Sequence, residues 1–267
     1  MTDKKVAVVT GANSGIGLSC AELFSKNGYS VFSLSRRGGE SGKIEHLVCD
    51  VTDEEQVENA FKTIFEKEGR IDVLVNNAGF GISGATEFTE LSQAKKQFDV
   101  NFFGCFLCCK AVCKYMRKNG GGKIINMSSM AAPLSIPFQA FYSASKSAVN
   151  SLTLALSNEL RRFDIDVCAF MPGDVKTAFT AEREKETAGS EVYGDAVKKS
   201  IERMEKDEQN GMSPEKIAKA VFALSQKKRA RPLSTTGISY KCFFVLSKLL
   251  PTSVVNRLVG MIYCRKE

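Results

Sequence analysis

At 267 residues with 43% hydrophobic side chains, the chain is long enough to build a substantial core as one large α/β domain, and no internal repeat or low-complexity linker divides it. Its 37 basic and 30 acidic side chains leave a formal charge of +7, which suits anionic ligands but is too spread along the sequence to point to nucleic acid. Nine cysteines, an odd number without framework spacing, fit a reducing compartment rather than a disulfide scaffold.

The first residues pass from Asp3, Lys4 and Lys5 into an apolar run too short for a signal peptide or an anchor, so the expected location is cytoplasmic. Residues 5–10 are a β-branched run that reads as a buried parallel strand. They lead into Gly11-Ala12-Asn13-Ser14-Gly15-Ile16-Gly17, after which Leu18, Cys20, Ala21, Leu23 and Phe24 recur at helical spacing. A strand, a glycine-rich turn and a helix in this order let the backbone approach a pyrophosphate, whose charge the helix N-terminus stabilises. The spacing is Gly-x3-Gly-x-Gly and departs from the common dinucleotide fingerprint, so a tight turn without a ligand stays open at this point. A second strand, 30–34, ends at Ser35-Arg36-Arg37, where a dinucleotide fold meets the adenosine ribose. No carboxylate is present there to hold a 2′-hydroxyl, whereas arginine can grip a 2′-phosphate with its planar fork and Ser35 can add a hydrogen bond. NADP(H) is therefore expected over NAD(H).

Residues 44–49 form a third strand ending at Asp50-Val51; the lone His46 within it is assigned no chemistry. Thr52-Asp53-Glu54-Glu55 has capping-box spacing and opens an amphipathic helix through Val57, Ala60, Phe61, Ile64 and Phe65. The fourth strand, 71–75, delivers Asn76-Asn77-Ala78-Gly79 to the carboxyl edge of the sheet, where such sheets bind ligands. A long helix over 91–118 carries Asn101 among apolar neighbours. Cys105, Cys108, Cys109 and Cys113 form one stripe along it, which cannot surround a tetrahedral ion; they read as packing residues, and no metal is expected.

The fifth strand, 123–127, brings Ser128 and Ser129 to the same edge. A helix over 141–163 begins with Tyr142-Ser143-Ala144-Ser145-Lys146, and a spacing of four puts the phenol and the ammonium on one face. A neighbouring cation lowers a tyrosine pKa from about 10, so the pair is a candidate acid/base device, although alone the spacing is common on solvated faces. The sixth strand, 165–171, leads to Pro172-Gly173-Asp174-Val175-Lys176-Thr177. Residues 178–212 are charged and weakly periodic and read as a mobile helical excursion over the site. Ser213 and Pro214 then start another helix. Lys227-Lys228-Arg229-Ala230-Arg231 is either a solvated helix end or a phosphate or membrane-surface contact. Two apolar segments, 240–250 and 253–263, are split by Pro251 and interrupted by Lys248 and Arg257, so they make no convincing transmembrane span. They read as helices covering the substrate pocket or a subunit, or as an amphipathic membrane-surface segment.

Alternating strands and helices imply an α/β fold with a doubly wound parallel, Rossmann-like sheet. The expected organisation is a single domain: residues 1–239, including 178–212 as substrate loop, with 240–267 as a helical apolar extension of the same domain. Thr10-Gly11-x3-Gly15-Ile16-Gly17, Asp50-Val51, Asn76-Asn77-Ala78-Gly79, Asn101, Ser129, Tyr142-x3-Lys146 and Pro172-Gly173 together resemble, in order and spacing, the short-chain dehydrogenase/reductase family, over residues 5 to about 180. The apolar tail is similar, more weakly, to the hydroxysteroid, retinol and acyl-glycerone-phosphate reducing branch.

The resemblance implies that Gly11, Asn13, Ser14, Gly15, Ile16 and Gly17 hold the cofactor pyrophosphate and that Ser35, Arg36 and Arg37 select the dinucleotide. Asp50 and Val51 would meet the adenine. Asn77, Ala78 and Gly79 would line the cleft, as would Pro172, Gly173, Val175 and Thr177, the last at the nicotinamide carboxamide. It assigns catalysis to Asn101, Ser129, Tyr142 and Lys146, with Ser128 the lesser serine. In these roles Tyr142 donates a proton, Lys146 lowers its pKa and holds the nicotinamide ribose, Ser129 bonds the substrate oxygen and Asn101 positions water. The implied activity is reversible hydride transfer between NADP(H) and a secondary alcohol or ketone. Phe80, Leu134, Ile136, Phe138 and Phe179 suggest a hydrophobic substrate, first a hydroxysteroid or bile acid, then a retinoid, an acyl-glycerone phosphate or another lipid ketone. The competing class is a non-catalytic dinucleotide-binding regulator, which would be free to lose any of the four residues. A homodimer or homotetramer, paired through the helices at 91–118 and 141–163, and peripheral membrane contact through 240–267 complete the expectations.

Overall fold

A computed structural model describes residues 4–38, 42–185 and 188–264, so residues 1–3, 39–41, 186–187 of the excursion and 265–267 of the tail lie outside the described residues. The order begins β1 (Val6–Thr10), α1 (Gly15–Lys26), β2 (Ser30–Ser35), β3 (Ile44–Val48), α2 (Glu54–Glu68), β4 (Val73–Asn76) and β5 (Ile82–Ser83). It continues α3 (Leu91–Phe98), α4 (Gly104–Lys118), β6 (Gly122–Met127), α5 (Ala131–Leu134), α6 (Ala140–Glu159) and β7 (Ile165–Phe170). The final third holds α7 (Phe179–Glu182), β8 (Glu184–Lys185), α8 (Ser190–Tyr193), α9 (Ala196–Gln209), α10 (Pro214–Ser225), β9 (Leu233–Ser234), α11 (Ile238–Leu249) and α12 (Thr252–Tyr263).

The main sheet is parallel, in the order β3-β2-β1-β4-β6-β7-β9. Alternation along β1 shows why its sequence is apolar from Val6 to Val9. Val6 and Val8 pack on one face with Phe61, Ile64 and Val112, while Ala7 and Val9 pack on the other with Phe24, Ile217 and Val221. Both faces are covered, so neither parity can be polar. Phe24 and Phe61 are fully buried in the two layers, and truncating either to alanine costs about 3–5 kcal/mol. The four helix cysteines, Cys105, Cys108, Cys109 and Cys113, are buried in the Phe61 layer, where desolvation pushes the Cys108 thiol well above its ordinary range.

Strand order runs outward in opposite directions from β1 and β4, so a crevice opens between the carboxyl ends of these neighbours, and the chain places its glycine-rich turn and Asn77-Ala78-Gly79 there. At the opposite rim, Lys123 of β6 and Asp166 of β7 make a buried ion pair. Lys123 also donates to the Lys227 carbonyl, and Arg229 pairs with Asp164 just before β7. The 227–231 cluster thus sits at the amino ends of the strands, away from the crevice.

Several local expectations change. Asp53, not Thr52, caps α2, because its carboxylate accepts from Gln56 N at 3.0 Å while the Thr52 hydroxyl donates to Asp50. The helix expected over 91–118 is interrupted by a five-residue π-helical turn, Asp99–Phe103, that contains Asn101. The helix expected to run to 163 ends at Glu159 and is followed by a 3-10 turn. A seventh strand, β9, escaped the sequence reading because two residues carry no period. The excursion is partly tied down: β8 pairs parallel with β5, and α9 buries Val197, Ser200, Ile201 and Met204 at a clear helical spacing.

Candidate active site

The glycine turn is closed by Asn77. Its Nδ2 donates to the carbonyls of Thr10 and Gly11, both at 3.1 Å, and the Thr10 hydroxyl accepts from the N–H groups of Asn77 and Ala78, both at 2.9 Å. Gly11 has φ 64°, and a Cβ there would lie 2.9 Å from Ala78 Cα. Gly17 solves a different problem. A Cβ on it would come within 2.4 Å of the Gly11 carbonyl oxygen, so the absence of a side chain lets α1 start directly under the turn. The result is a backbone cradle at a helix N-terminus, chemistry that fits a dinucleotide pyrophosphate.

A cavity of about 1100 Å³ extends from this cradle along the carboxyl edge of the sheet. Of the expected cofactor residues, Gly11, Asn13, Ser14, Gly15, Ile16, Ser35, Arg36, Arg37, Asp50, Val51, Asn77, Ala78, Gly79, Tyr142, Lys146, Pro172, Gly173, Val175 and Thr177 line it; Gly17 does not. At the adenosine end Arg36 and Arg37 are exposed, whereas Ser35 Oγ lies 2.7 Å from Asn13 Oδ1 and 2.8 Å from the Arg37 carbonyl. The serine is thus engaged in shaping the turn, and the arginines are the groups left to face a phosphate. No carboxylate follows β2 among these residues.

At the other end Ser129, Tyr142 and Lys146 line the cavity together. Ser129 follows β6 by two residues, and its hydroxyl accepts from Ala131 N at 3.0 Å and bonds the Tyr142 phenol. Tyr142 and Lys146 stand one turn apart near the start of α6, and the ammonium lies 5.8 Å from the centroid of the phenol ring. Lys146 is buried and donates to the Met127 carbonyl at 2.8 Å. Desolvation draws its pKa down from 10.5 to about 8. The phenol moves the other way from the sequence expectation: burial, the largest cause, raises it above 10, the Ser129 hydrogen bond works against that, and Glu208 and Arg183 act with opposite signs. In this arrangement the ammonium is directed to Met127, so its pull on the phenol does not outweigh desolvation.

Asn101 is not on the cavity wall but behind it. Its Nδ2 donates to the Phe80 carbonyl at 3.0 Å and to Ser145 Oγ at 3.2 Å, and its Oδ1 accepts from Phe80 N at 3.0 Å. Both amide hydrogens are used, so the side chain clamps the Phe80 loop to α6 instead of holding water through its NH2 group. The π turn is what rotates Asn101 into this position.

Phe80, Leu134, Ile136 and Phe179 line the substrate end, with the Phe179 ring 5.8 Å from that of Tyr142. Phe138 does not; it packs against the cluster of Ala85, Val197, Ile201 and Met204. The far wall is formed by Asp207 and Glu208 of α9 and by Tyr240, Phe243, Leu246, Leu258 and Ile262 of α11 and α12, in line with tail helices that cover the pocket, although the sequence singled out none of these side chains. The spacing of Val197, Ile201 and Met204 was the available signal for α9. Tyr240 fixes the tail: its hydroxyl donates to Asp174 Oδ2 at 2.6 Å and accepts from Asp174 N at 3.0 Å, and its ring lies over Gly173 where any Cβ would collide. Arg183 is buried under this wall and pairs with Glu208, which also accepts from Thr180 at 2.6 Å.

A family model described as short chain dehydrogenase matches residues 5–188. The chain is 39% identical over 263 residues to a 3-ketodihydrosphingosine reductase of Bacteroides thetaiotaomicron, covering 97% of this chain and 98% of that one. It is 37% identical over 190 residues to a 3beta-hydroxysteroid dehydrogenase of Mediterraneibacter gnavus, covering 67% and 68%. A short-chain dehydrogenase from Streptomyces avermitilis has a similar structure, with TM-score 0.80, 28% identity and coverage of 98% and 97%. Two further similar structures carry different cofactors: ElxO with NADP bound, at TM-score 0.73, 28% identity and coverage of 90% and 99%, and the 3-ketoacyl-(acyl-carrier-protein) reductase of Brucella melitensis with NADH, at 0.73, 27%, and 88% and 96%. With the parallel sheet, the glycine cradle and the shared Ser129, Tyr142 and Lys146 wall already in view, these matches establish that the chain belongs to the short-chain dehydrogenase/reductase family of NAD(P)(H)-linked oxidoreductases.

Proposed function

We propose that the protein is an NADP(H)-dependent oxidoreductase that interconverts a secondary alcohol and a ketone on a hydrophobic lipid, with a long-chain lipid ketone as the foremost substrate class. The observation that carries this reading is the single cavity in which Ser129, Tyr142 and Lys146 face an apolar wall of Phe243, Leu246, Leu258 and Ile262. The likeness to a 3-ketodihydrosphingosine reductase runs through that wall, covering 97% of the chain, whereas the likeness to a hydroxysteroid dehydrogenase covers 67%. Since α11 and α12 shape the substrate end, the first likeness weighs more, and a hydroxysteroid becomes the second candidate.

When bound, the nicotinamide dinucleotide supplies or accepts the hydride. The turn at 11–17 would hold its pyrophosphate, Arg36 and Arg37 a 2′-phosphate, and Tyr142 and Lys146 the ribose next to the nicotinamide. In the reducing direction Tyr142 gives its proton to the carbonyl oxygen and in the oxidising direction takes it back. A phenol held above its ordinary range is fully protonated at neutral pH and ready to donate. The Ser129 hydroxyl, already bonded to the phenol, directs the substrate oxygen towards it. Lys146, charged below about pH 8, stabilises the phenolate that donation leaves behind. Asn101 keeps the Phe80 wall and α6 in register.

The test is a cofactor-oxidation screen with NADPH and then NADH against long-chain keto lipids, steroids, retinoids and small polar ketones, run on the wild type and Tyr142→Phe. Turnover of a long-chain ketone with NADPH is expected, falling about 100- to 10,000-fold in the variant with NADPH binding retained. Turnover confined to sugars or ketoacids, or undiminished in the variant, would contradict the reading.

A further inference from the structure

The helices α11 and α12 are apolar, yet they bury a single residue between them, Val259. They rest on α5, and α12 also on α9, leaving their outer face without a protein partner among the described residues. On that face Ile238 is 84% exposed and Leu249 75%, and Phe243, Val245, Leu246, Val254, Leu258, Met261 and Ile262 are all more than two-fifths exposed. More than half of the large apolar side chains that stand exposed among the described residues are in these two helices. Scattered exposed leucines need no explanation; a contiguous apolar surface of this kind marks an interaction site.

The charges on this surface have one sign. Between residues 235 and 264 there are three basic side chains, Lys241, Lys248 and Arg257, all exposed, and no acidic one. Lys248 lies along the Phe244 ring, its ammonium 4.3 Å from the centroid, so its stem covers apolar surface while its head stays free to reach outward. A second copy of the chain seated on this face would bring these cations towards their own counterparts. An anionic surface would neutralise them. Among the described residues no helix is long and apolar enough to cross a membrane, and two twelve-residue amphipathic helices are suited to lie in an interface.

The surface is also continuous with the active-site cavity. Phe243, Leu246, Leu258 and Ile262 are exposed on one side and line the cavity on the other, whereas Val245, Leu249 and Met261 do not line it, Met261 bordering only a shallower hollow beside Arg203. We infer that α11 and α12 form a docking surface for an anionic lipid bilayer, seated so that the cavity opens towards the acyl region and substrate enters laterally from the membrane. The docking stands independently of the activity; the direction of entry rests on the lipid-ketone reading above.

The experiment uses the full chain with vesicles of phosphatidylcholine alone or mixed in equal parts with phosphatidylglycerol. The wild type should sediment with the mixed vesicles and partition about 100-fold less into the neutral ones, from three basic groups at the surface. The triple variant Val245→Glu, Leu249→Glu, Met261→Glu should stay in the supernatant, with unchanged light-scattering mass and unchanged turnover of a short-chain soluble ketone. Lys241→Glu with Lys248→Glu, which leaves the apolar face intact, should lose the preference for anionic vesicles. Wild-type protein that ignores mixed vesicles, a triple variant that sediments like the wild type, or a triple variant that falls to a smaller oligomer would each overturn the docking, the last by making the face a contact between copies. If docking holds but the triple variant consumes vesicle-borne long-chain ketone as fast as the wild type, lateral entry is overturned. If no ketone of any kind is turned over while sedimentation behaves as described, the activity assignment fails and the docking stands.

Discussion

Lys146→Met is expected to stabilise the protein while disabling it. In the folded chain the ammonium is buried and its pKa is about 8, against 10.5 for an exposed lysine. At about 1.4 kcal/mol for each tenfold difference, holding the charged form at neutral pH costs the fold about 3 kcal/mol. The sign follows from the depressed folded-state value. The unfolded chain binds the proton more tightly, so the penalty is complete below pH 8, is relieved as pH rises between about 8 and 10.5, and is gone above that. Methionine has similar length and no charge. It forfeits the 2.8 Å bond to the Met127 carbonyl, which offsets about 1 kcal/mol and leaves a net gain of about 2 kcal/mol. For a chain of this size that corresponds to a rise in Tm of about 4–8 °C at neutral pH. Thermal melts of both proteins across the alkaline range give the assay, with the gap closing as pH climbs. Turnover should fall at least about 100-fold. A variant less stable than the wild type at neutral pH, or a stability difference that ignores pH, would refute the reasoning, because the ammonium would then not be carried at the cost of desolvation.

The other expectations concern separate parts of the molecule. Asp166→Ala leaves the Lys123 ammonium buried without its carboxylate, both side chains being no more than 11% exposed, and should cost about 3–5 kcal/mol in urea unfolding while kcat stays unchanged, since the pair is at the far rim of the sheet. A loss below about 1 kcal/mol would mean the charge is rehydrated. Arg36→Ala combined with Arg37→Ala should raise KM for NADPH by about 10- to 100-fold and leave KM for NADH nearly unchanged; equal effects on both cofactors would remove the arginines from phosphate selection. Tyr240→Phe gives up both bonds to Asp174 and should lower stability by about 1–3 kcal/mol and raise KM for a long-chain ketone more than for a short soluble one, a difference steady-state kinetics can read. In the reducing direction, wild-type kcat should decline as pH rises through about 8 and Lys146 loses its charge; a profile flat through that region would separate the ammonium from the chemistry.

The sheet was legible because its signals are dense. A strand buried on both faces is dominated by apolar residues of either parity, with its polar residues confined to a few paired positions such as Lys123 and Asp166, so β1, β4, β6 and β7 announce themselves, and the residues that follow them fall automatically on one edge. The position of Tyr142 and Lys146 followed from helical spacing. Their electrostatics did not, because desolvation depends on what covers them, and that cover comes from segments distant in sequence, including the α9 wall. Asn101 shows the same limit. The family resemblance gave it a role in the cleft, but a π turn has no sequence period to betray it, and the turn aims the amide at Phe80 and Ser145. Phe138 was placed in the pocket on chemistry alone and instead packs under α9.

The two helices that wall the substrate end contribute almost nothing to the core: of their residues only Val259 is buried, while the sheet and its flanking layers carry the main hydrophobic clusters. Folding and substrate choice are therefore written in separate stretches of the chain. Apart from Tyr240, which ties the tail to Asp174, a replacement along the cavity side of α11 or α12 can reshape the space beside Ser129 and Tyr142 with little effect on the stability of the sheet.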